Sequence, residues 1–316
     1  MSTRRVVEYP IAIAAAGALC IASSGVLVRL AATTPVTVAF YRCLYALPVL
    51  GAIAALEKRR FGSLSQRELK LAWAAGIFFA IDLIFWHNAI EAVGAGLATV
   101  LGNLQVLLVG FAAWAILGER PQNSLFFAIP VMISGVVLIS GVVGAGAYGE
   151  DPALGVVFGI ATSIAYAAFI LTLREGARDL RRVAGPLFHA TLIAAVASAL
   201  YGIVVGGIDW NPGWPAHGWL VALALSAQVL GWLLISLSLP RLPAAITSAV
   251  LLLQPVGAMA LAAVIVDEDP SPAQLAGAAL IVVGVVVATS SHRKEPSVER
   301  LTSVATTGPA LAPPPE

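Results

Sequence analysis

The second half of the chain repeats the first at a fixed spacing of 149 residues. Four pairs of identical residues carry this spacing: Gln105 and Gln254, Glu119 and Glu268, Pro121 and Pro270, and Gly135 and Gly284. Each copy contains five apolar segments, and an odd number of membrane crossings reverses orientation. The two copies must therefore lie upside down to each other, as an inverted-topology repeat.

The composition is that of an integral membrane protein. Hydrophobic residues make up 59% of the chain and charged residues only 11%, whereas soluble domains contain roughly 25% charged residues. The mean hydropathy of +0.91 agrees. The apolar runs are long enough to be membrane-crossing helices rather than barrel strands.

Ten apolar segments are close to the ~20 residues that a helix needs to cross the hydrocarbon layer. They lie at about 10–31, 35–56, 70–90, 95–117, 124–144, 153–173, 184–206, 217–239, 243–266 and 272–291. The sequence therefore predicts an all-α integral membrane fold, with ten transmembrane helices in two inverted five-helix repeats.

The repeat and the loss of apolar periodicity at the ends divide the chain. We expect a cytoplasmic N-terminus at 1–9, a first five-helix repeat at 10–148 and a second, inverted repeat at 153–291. The remaining residues, 292–316, end in a proline-rich run and are predicted to be a disordered cytoplasmic tail.

Orientation follows from the basic residues. With the N-terminus inside, 16 of the 18 Lys and Arg residues fall in the inner segments, and the outer loops carry acidic residues instead. Because cytoplasmic loops are enriched in Lys and Arg, both termini are predicted to be cytoplasmic.

Two ionisable residues stand out at membrane depth, Asp82 in the third segment and Arg42 in the second. An ionised residue there costs about 2.5–3.5 kcal/mol on insertion scales and needs a partner or a cavity. Asp82, Trp86 and His87 share one broad helix face, which could bind an amino group or an aromatic ring. The alternative is that Asp82 pairs with a basic or amide side chain on a neighbouring helix.

Other polar and aromatic residues lie at similar depth in four further segments. They would hold a substrate if they face a cavity, or join helices by hydrogen bonds if they do not. The predicted substrate-binding residues are Asp82, Trp86, His87, Thr99, Asn103, Tyr166, Gln228, Trp232 and Gln254.

The sequence contains no motif for catalysis, phosphate binding or metal binding. The four histidines are scattered, and no basic patch with interleaved aromatic residues indicates nucleic acid. We therefore expect a protein that is not an enzyme, uses no cofactor or metal, and binds no nucleic acid. Its expected partners are a small-molecule substrate and the lipid bilayer, and we expect it to be a monomer.

Two motifs contribute to a family resemblance: Phe40-Tyr41-Arg42 in the second segment and Leu253-Gln254-Pro255-Val256 in the ninth. With the turn Leu117-Gly118-Glu119-Arg120-Pro121 after the fourth segment, the ten-segment chain resembles the drug/metabolite transporter superfamily, and within it the EamA-type exporters. The second-half turn departs slightly, reading Asp267-Glu268 in place of Gly-Glu.

Within that group, the polar and aromatic face of the third segment looks most like the YddG-type amino-acid exporters. The resemblance implies export of neutral or aromatic amino acids across a bacterial inner membrane, around a central cavity. We expect a secondary-type transporter that works by alternating access. The alternatives are a multidrug or nucleotide-sugar-like transporter, or a passive facilitator or channel for the same solutes.

Overall fold

The computed structural model describes residues 10–105, 107–108, 123–143, 147–177, 179, 181–238 and 253–290. Five predicted features lie outside the described residues: the N-terminal segment 1–9, the last part of the fourth segment from residue 109, the turn at 117–121, most of the first half of the ninth segment, and the tail 292–316.

The described part of the chain is helical, with no strand in it. Its α-helices are α1 Pro10–Ala22, α2 Ser24–Ala31, α3 Pro35–Phe61, α4 Gln66–Val93, α5 Ala95–Gly102, α6 Asn123–Ile139, α7 Pro152–Gly176, α8 Ala184–Val205, α9 Ala216–Leu223, α10 Trp232–Ser238, α11 Leu253–Ile265 and α12 Pro272–Ser290. A π-helix, Ala224–Gly231, joins α9 to α10.

Six of these helical segments are long and apolar enough to cross a membrane, and three shorter apolar helices accompany them. Large apolar side chains such as Phe127, Val204 and Val264 are exposed on their outer surfaces. An exposed apolar surface of this kind suits a protein surrounded by lipid. The all-α integral membrane fold is therefore confirmed, while the count of ten spans stays a prediction.

The helix ends follow from local sequence signals. Ser65 and Glu68 form a capping box at the start of α4, with each side chain bonded to the other's backbone N–H. Asp151 caps α7 immediately before Pro152, whose fixed φ suits a first helical position. These signals explain why the observed helix starts lie within a few residues of the predicted segments.

The packing of the helices relates the two halves of the chain. The most extensive contacts join α4 to α7 and α8, α3 to α8 and to the segment from α9 to the π-helix, α6 to α12, α5 to α11, and α1–α2 to the segment from α9 to α10. When each helix of a contact is replaced by its counterpart in the other half of the 149-residue repeat, the result is the same contact or another contact in this list. Contacts between the halves therefore dominate, and they build the interior from both halves.

Close approach of helices depends on glycine at several of these contacts. A Cβ on Gly135 would lie 2.5 Å from the carbonyl oxygen of Gly277, and a Cβ on Gly277 would lie 2.6 Å from that of Gly135. The backbones of α6 and α12 thus meet without side chains between them. Small residues at such crossings are typical of membrane helices, because they allow tight packing.

Gly135→Val is expected to destabilise the protein, since its side chain would collide with rigid backbone of α12. Overpacking of this kind costs about 1–3 kcal/mol. Thermal unfolding of the detergent-purified protein measures the effect. The control is Gly102→Ala, because a Cβ there meets its nearest neighbour at an ordinary 3.5 Å; equal melting temperatures for the two variants would contradict the prediction.

Candidate functional site

A buried arginine lies at the centre of a polar cluster between the halves. Arg42 comes from α3, and its Nε donates a hydrogen bond of 3.1 Å to Oε1 of Gln228 on the π-helix. Gln228 in turn donates from Nε2 to Oγ1 of Thr191 on α8, also at 3.1 Å. Arg42 is only 3% exposed and Gln228 is fully buried. The amide is thus held at both ends and presents its oxygen to the guanidinium.

The π-helix is the local device that places Gln228. A π-turn contains more residues than an α-turn, so it interrupts the regular spacing of side chains along the span, and such turns frequently occur at functional sites. The turn here sets the register between α9 and Trp232, which follows it directly.

Asp82 lies near Arg42 without touching it. Asp82 lies on α4 between Phe79 and Trp86, whose rings both face the Arg42 guanidinium, yet no nitrogen of Arg42 is within 4.0 Å of a carboxylate oxygen of Asp82. Asp82 is 6% exposed, and its backbone carbonyl accepts a hydrogen bond of 2.9 Å from Oγ1 of Thr162 on α7. The pair is therefore close but leaves the opposite charges separated.

Aromatic rings form the walls around the charges. The guanidinium carbon of Arg42 lies 5.8 Å from the ring centroid of Trp86 and 5.9 Å from that of Phe79. Trp232 meets Phe79 and Tyr166 edge-on, and its Nε1 is buried without a hydrogen-bond partner among the described residues. The cluster thus combines separated charges with aromatic surface and an unused donor.

The guanidinium can be held in this place without a carboxylate. Its burial costs about 2.5–3.5 kcal/mol. One hydrogen bond to a charged group offsets about 1.5–3 kcal/mol, and cation–π contacts add about 0.5–2 kcal/mol. Arginine has five N–H donors, and Gln228 takes one of them. No other acceptor among the described residues takes an N–H of Arg42, so the remaining donors are available to a ligand.

Five of the nine predicted site residues come together in this cluster, namely Asp82, Trp86, Tyr166, Gln228 and Trp232. Arg42 is absent from the predicted set, although its charge at membrane depth was the signal that could have placed it there. Thr162, Thr191 and Phe79 were missed as well, and nothing in the sequence distinguishes them from ordinary interior residues.

Three of the other predicted residues have different surroundings. His87 is fully buried less than two turns before the C-terminal end of α4. Its ring centroid lies 5.3 Å from that of Trp86, but its Nδ1 lies 3.1 Å from the carbonyl oxygen of Pro35. The side chains of Thr99 and Asn103 bond to carbonyls one turn earlier in their own segment. The fourth residue, Gln254, is buried at the start of α11.

His87 is one of the residues that line a separate pocket of about 450 Å³. Its polar lining includes Arg29, Glu91 and Asp209. Cys20 and Cys43 are both free, and the described residues contain no group of three His, Cys, Asp or Glu side chains that could hold a metal ion.

Comparison with known proteins decides the family. The sequence pattern of the EamA-like transporter family matches residues 9–141 and again residues 153–290. The chain belongs to the EamA-like transporter family. The expected superfamily is confirmed by this match, while the YddG-type assignment stays a prediction.

Two further proteins are similar to this chain. "Uncharacterized transporter YwfM" of Bacillus subtilis (strain 168) is 21% identical over 236 residues, which cover 72% of this chain and 76% of that protein. A solved crystal structure matches 90% of this chain and 97% of its own, with a TM-score of 0.59 and 20% identity. The structural likeness shows a shared fold. The Arg42 cluster therefore lies in the interior of an EamA-like transporter.

Gln228→Leu is expected to destabilise this EamA-like transporter by about 1.5–3 kcal/mol, because Arg42 would keep its charge and lose its acceptor. Thermal unfolding in detergent measures the loss. Combining it with Arg42→Leu is expected to recover part of that loss, since the unpaired charge disappears.

The matched control for this cycle is Ser226→Ala on the same π-helix, because the Ser226 hydroxyl bonds only to Ala222 of its own span among the described residues. Gln228→Leu and Ser226→Ala with the same melting temperature would show that Gln228 does not stabilise the arginine.

Proposed function

We propose that this protein exports neutral and aromatic amino acids as zwitterions, by alternating access around the Arg42 cluster. The observation that carries the proposal is the separation of Arg42 from Asp82: both are buried, they interact electrostatically, and they do not form an ion pair. Two opposite charges held apart in this way fit a ligand that carries one charge of each sign.

An α-amino acid has this charge arrangement. Its carboxylate and ammonium groups are joined through a single carbon, so both can enter a short gap between opposite charges. The carboxylate would accept from the free N–H groups of Arg42, which favour bidentate binding of planar anions. The ammonium group would donate to Asp82. Each buried charge would then gain a partner of opposite charge, which it does not have among the described residues.

The aromatic walls favour a particular side chain. Trp86, Tyr166 and Trp232 surround the charged pair with apolar, polarisable surface. A third charge on the substrate would have to be buried among these rings, which is costly, whereas an aromatic or neutral group would pack against them. The sequence resemblance to YddG-type exporters supports the same class of substrate.

The arrangement of the helices supports the alternating-access mechanism. The cluster takes Arg42 and Asp82 from the first half and Tyr166, Gln228 and Trp232 from the second, so relative movement of the halves would change the site. Pairing of equivalent helices across the halves is what an inverted repeat produces. In this proposal the protein is a monomer in the bacterial inner membrane with both termini in the cytoplasm, and it transports its substrate without chemical change.

Competition in proteoliposomes tests the zwitterion site. Exchange of labelled phenylalanine is measured against unlabelled phenylalanine, phenethylamine, which lacks the carboxylate, and 3-phenylpropionate, which lacks the ammonium group. Arg42→Gln is expected to weaken the binding of phenylalanine and of 3-phenylpropionate by about tenfold, which corresponds to the loss of roughly one charge-assisted hydrogen bond. The binding of phenethylamine is expected to stay unchanged. Asp82→Asn is expected to weaken the binding of phenylalanine and of phenethylamine, and to leave that of 3-phenylpropionate unchanged.

Asn88→Ala is the control for both variants, since the Asn88 amide bonds to Ile84 of its own helix. Equal weakening of all three ligands by Arg42→Gln and by Asp82→Asn would refute separate recognition of the two charged groups.

Trp86→Ala is expected to weaken the binding of free phenylalanine about fivefold to tenfold more than that of free alanine, because one aromatic contact contributes about 1 kcal/mol. Exchange with each labelled amino acid measures the ratio. Trp73→Ala is the matched control, because Trp73 lies on the same helix and is 45% exposed on its outer surface. An unchanged phenylalanine-to-alanine ratio in Trp86→Ala would remove Trp86 from the site.

A further inference from the structure

The carboxylate of Glu268 crosses from the second half of the chain to the first. Glu268 follows α11, and its Oε1 and Oε2 accept hydrogen bonds from the backbone N–H groups of Ala95, at 2.6 Å, and Gly96, at 3.1 Å. These are the first two residues of α5. Glu268 is 4% exposed although it lies in a loop with acidic neighbours. A loop residue from one half therefore caps a helix of the other.

The start of α5 is built to receive this carboxylate. Its N-cap residue is Gly94, which has no side chain that could cap the helix. Gly94 has φ +89°, a conformation that favours glycine, and a Cβ on it would lie 2.8 Å from Oε2 of Glu268. Any larger residue at position 94 would be strained and would displace the carboxylate. The helix thus depends on Glu268 for two of its four free N–H groups.

The bonds to α5 matter more than the neighbouring ion pair. Arg29, at the end of α2, approaches Oε1 of Glu268 at 4.0 Å, but its side chain is 39% exposed. Ion pairs that water reaches contribute little. Charge-assisted bonds from buried N–H groups at a helix N-terminus are strong, because they also meet the positive end of the helix dipole.

We propose that Glu268 is a latch between the two halves, and that transport requires its release. The latch consists of Glu268, Ala95 and Gly96, and it lies at the membrane face where α5 begins, which the distribution of basic residues predicts to be the outer one. While it is closed, the loop after α11 stays fixed to α5. Opening of the halves at this face must separate them.

The latch also lies beside a pocket. Arg29, His87, Ile90 and Glu91 all line the 450 Å³ pocket. The amide of Gly94 bonds to the carbonyl of Ile90 at 2.9 Å, which connects the latch to the pocket wall. Release of Glu268 is therefore expected to expose Ile90, which is fully buried in this structure.

This inference goes beyond the proposed substrate and uses no substrate in its test. Ile90→Cys is introduced with Cys20→Ala and Cys43→Ala, and the protein is placed in lipid nanodiscs, where a charged maleimide reaches both faces. Glu268→Gln is expected to raise the labelling rate of the new cysteine roughly tenfold, since the change removes about one charge-assisted hydrogen bond. Hydrogen exchange of the Ala95 and Gly96 amides should rise with it.

Two variants test the assignment within the same background. Asp269→Asn neutralises an exposed carboxylate of the same loop and should leave both measurements unchanged. Arg29→Gln should raise labelling less than Glu268→Gln does, because the ion pair is the weaker contact.

Faster amide exchange without faster labelling would overturn the latch, since Glu268 would then be a local helix cap only. Unchanged exchange would overturn the capping contact itself. Glu268→Asp keeps the charge and shortens the side chain, so an intermediate labelling rate is expected, provided that the protein elutes as a single folded species. Failure of the amino-acid assays would leave these outcomes unaffected.

Discussion

The burial of the Arg42 guanidinium sets the arrangement of the interior. A charge at this depth must find acceptors or aromatic faces, because lipid provides neither. The chain provides one neutral acceptor, Gln228, which Thr191 holds in place, and two ring faces. The π-helix, the hydrogen bond between α8 and the π-helix and the packing of Phe79 all follow from holding this charge. The opposing carboxylate of Asp82 stays out of contact.

Glu268 and Arg42 are both buried charges, but they differ in how much of their hydrogen-bonding capacity is filled. Both oxygens of Glu268 have backbone donors, and Arg29 lies nearby, so this carboxylate has little capacity left for a ligand. Within the part of the chain that the structure describes, Arg42 has one hydrogen bond, to Gln228, and its other donors have no acceptor. A charge whose hydrogen-bonding capacity is filled can hold two segments together, whereas one with capacity left can also bind a substrate, as we propose for Arg42. Burying a charge is costly in both places, but its proposed role differs between Glu268 and Arg42.

The helices were predictable from sequence because their signals are local: apolar length, capping residues such as Ser65 and Asp151, and the flanking charges. The face of α4 that carries Asp82 and Trp86 was predictable for the same reason. Contacts between helices were not, because they depend on the rotation of each helix. His87 is next to Trp86 in sequence, yet it lies against Pro35. Asn103 and Thr99 bond within their own span, which no spacing rule separates from substrate binding.

A zwitterionic substrate would also determine which forces act on transport. Such a substrate adds no net charge to the Arg42 cluster, so the membrane potential does the same electrical work on the loaded and the empty protein. Export would then follow the concentration gradient of the amino acid, unless Asp82 carries a proton across in one direction. Asp82 can do so only while it is not tightly paired, and its separation from Arg42 meets that condition. In the proposed mechanism, the gap between the two charges would therefore decide both what the site binds and whether its transport is coupled to protons.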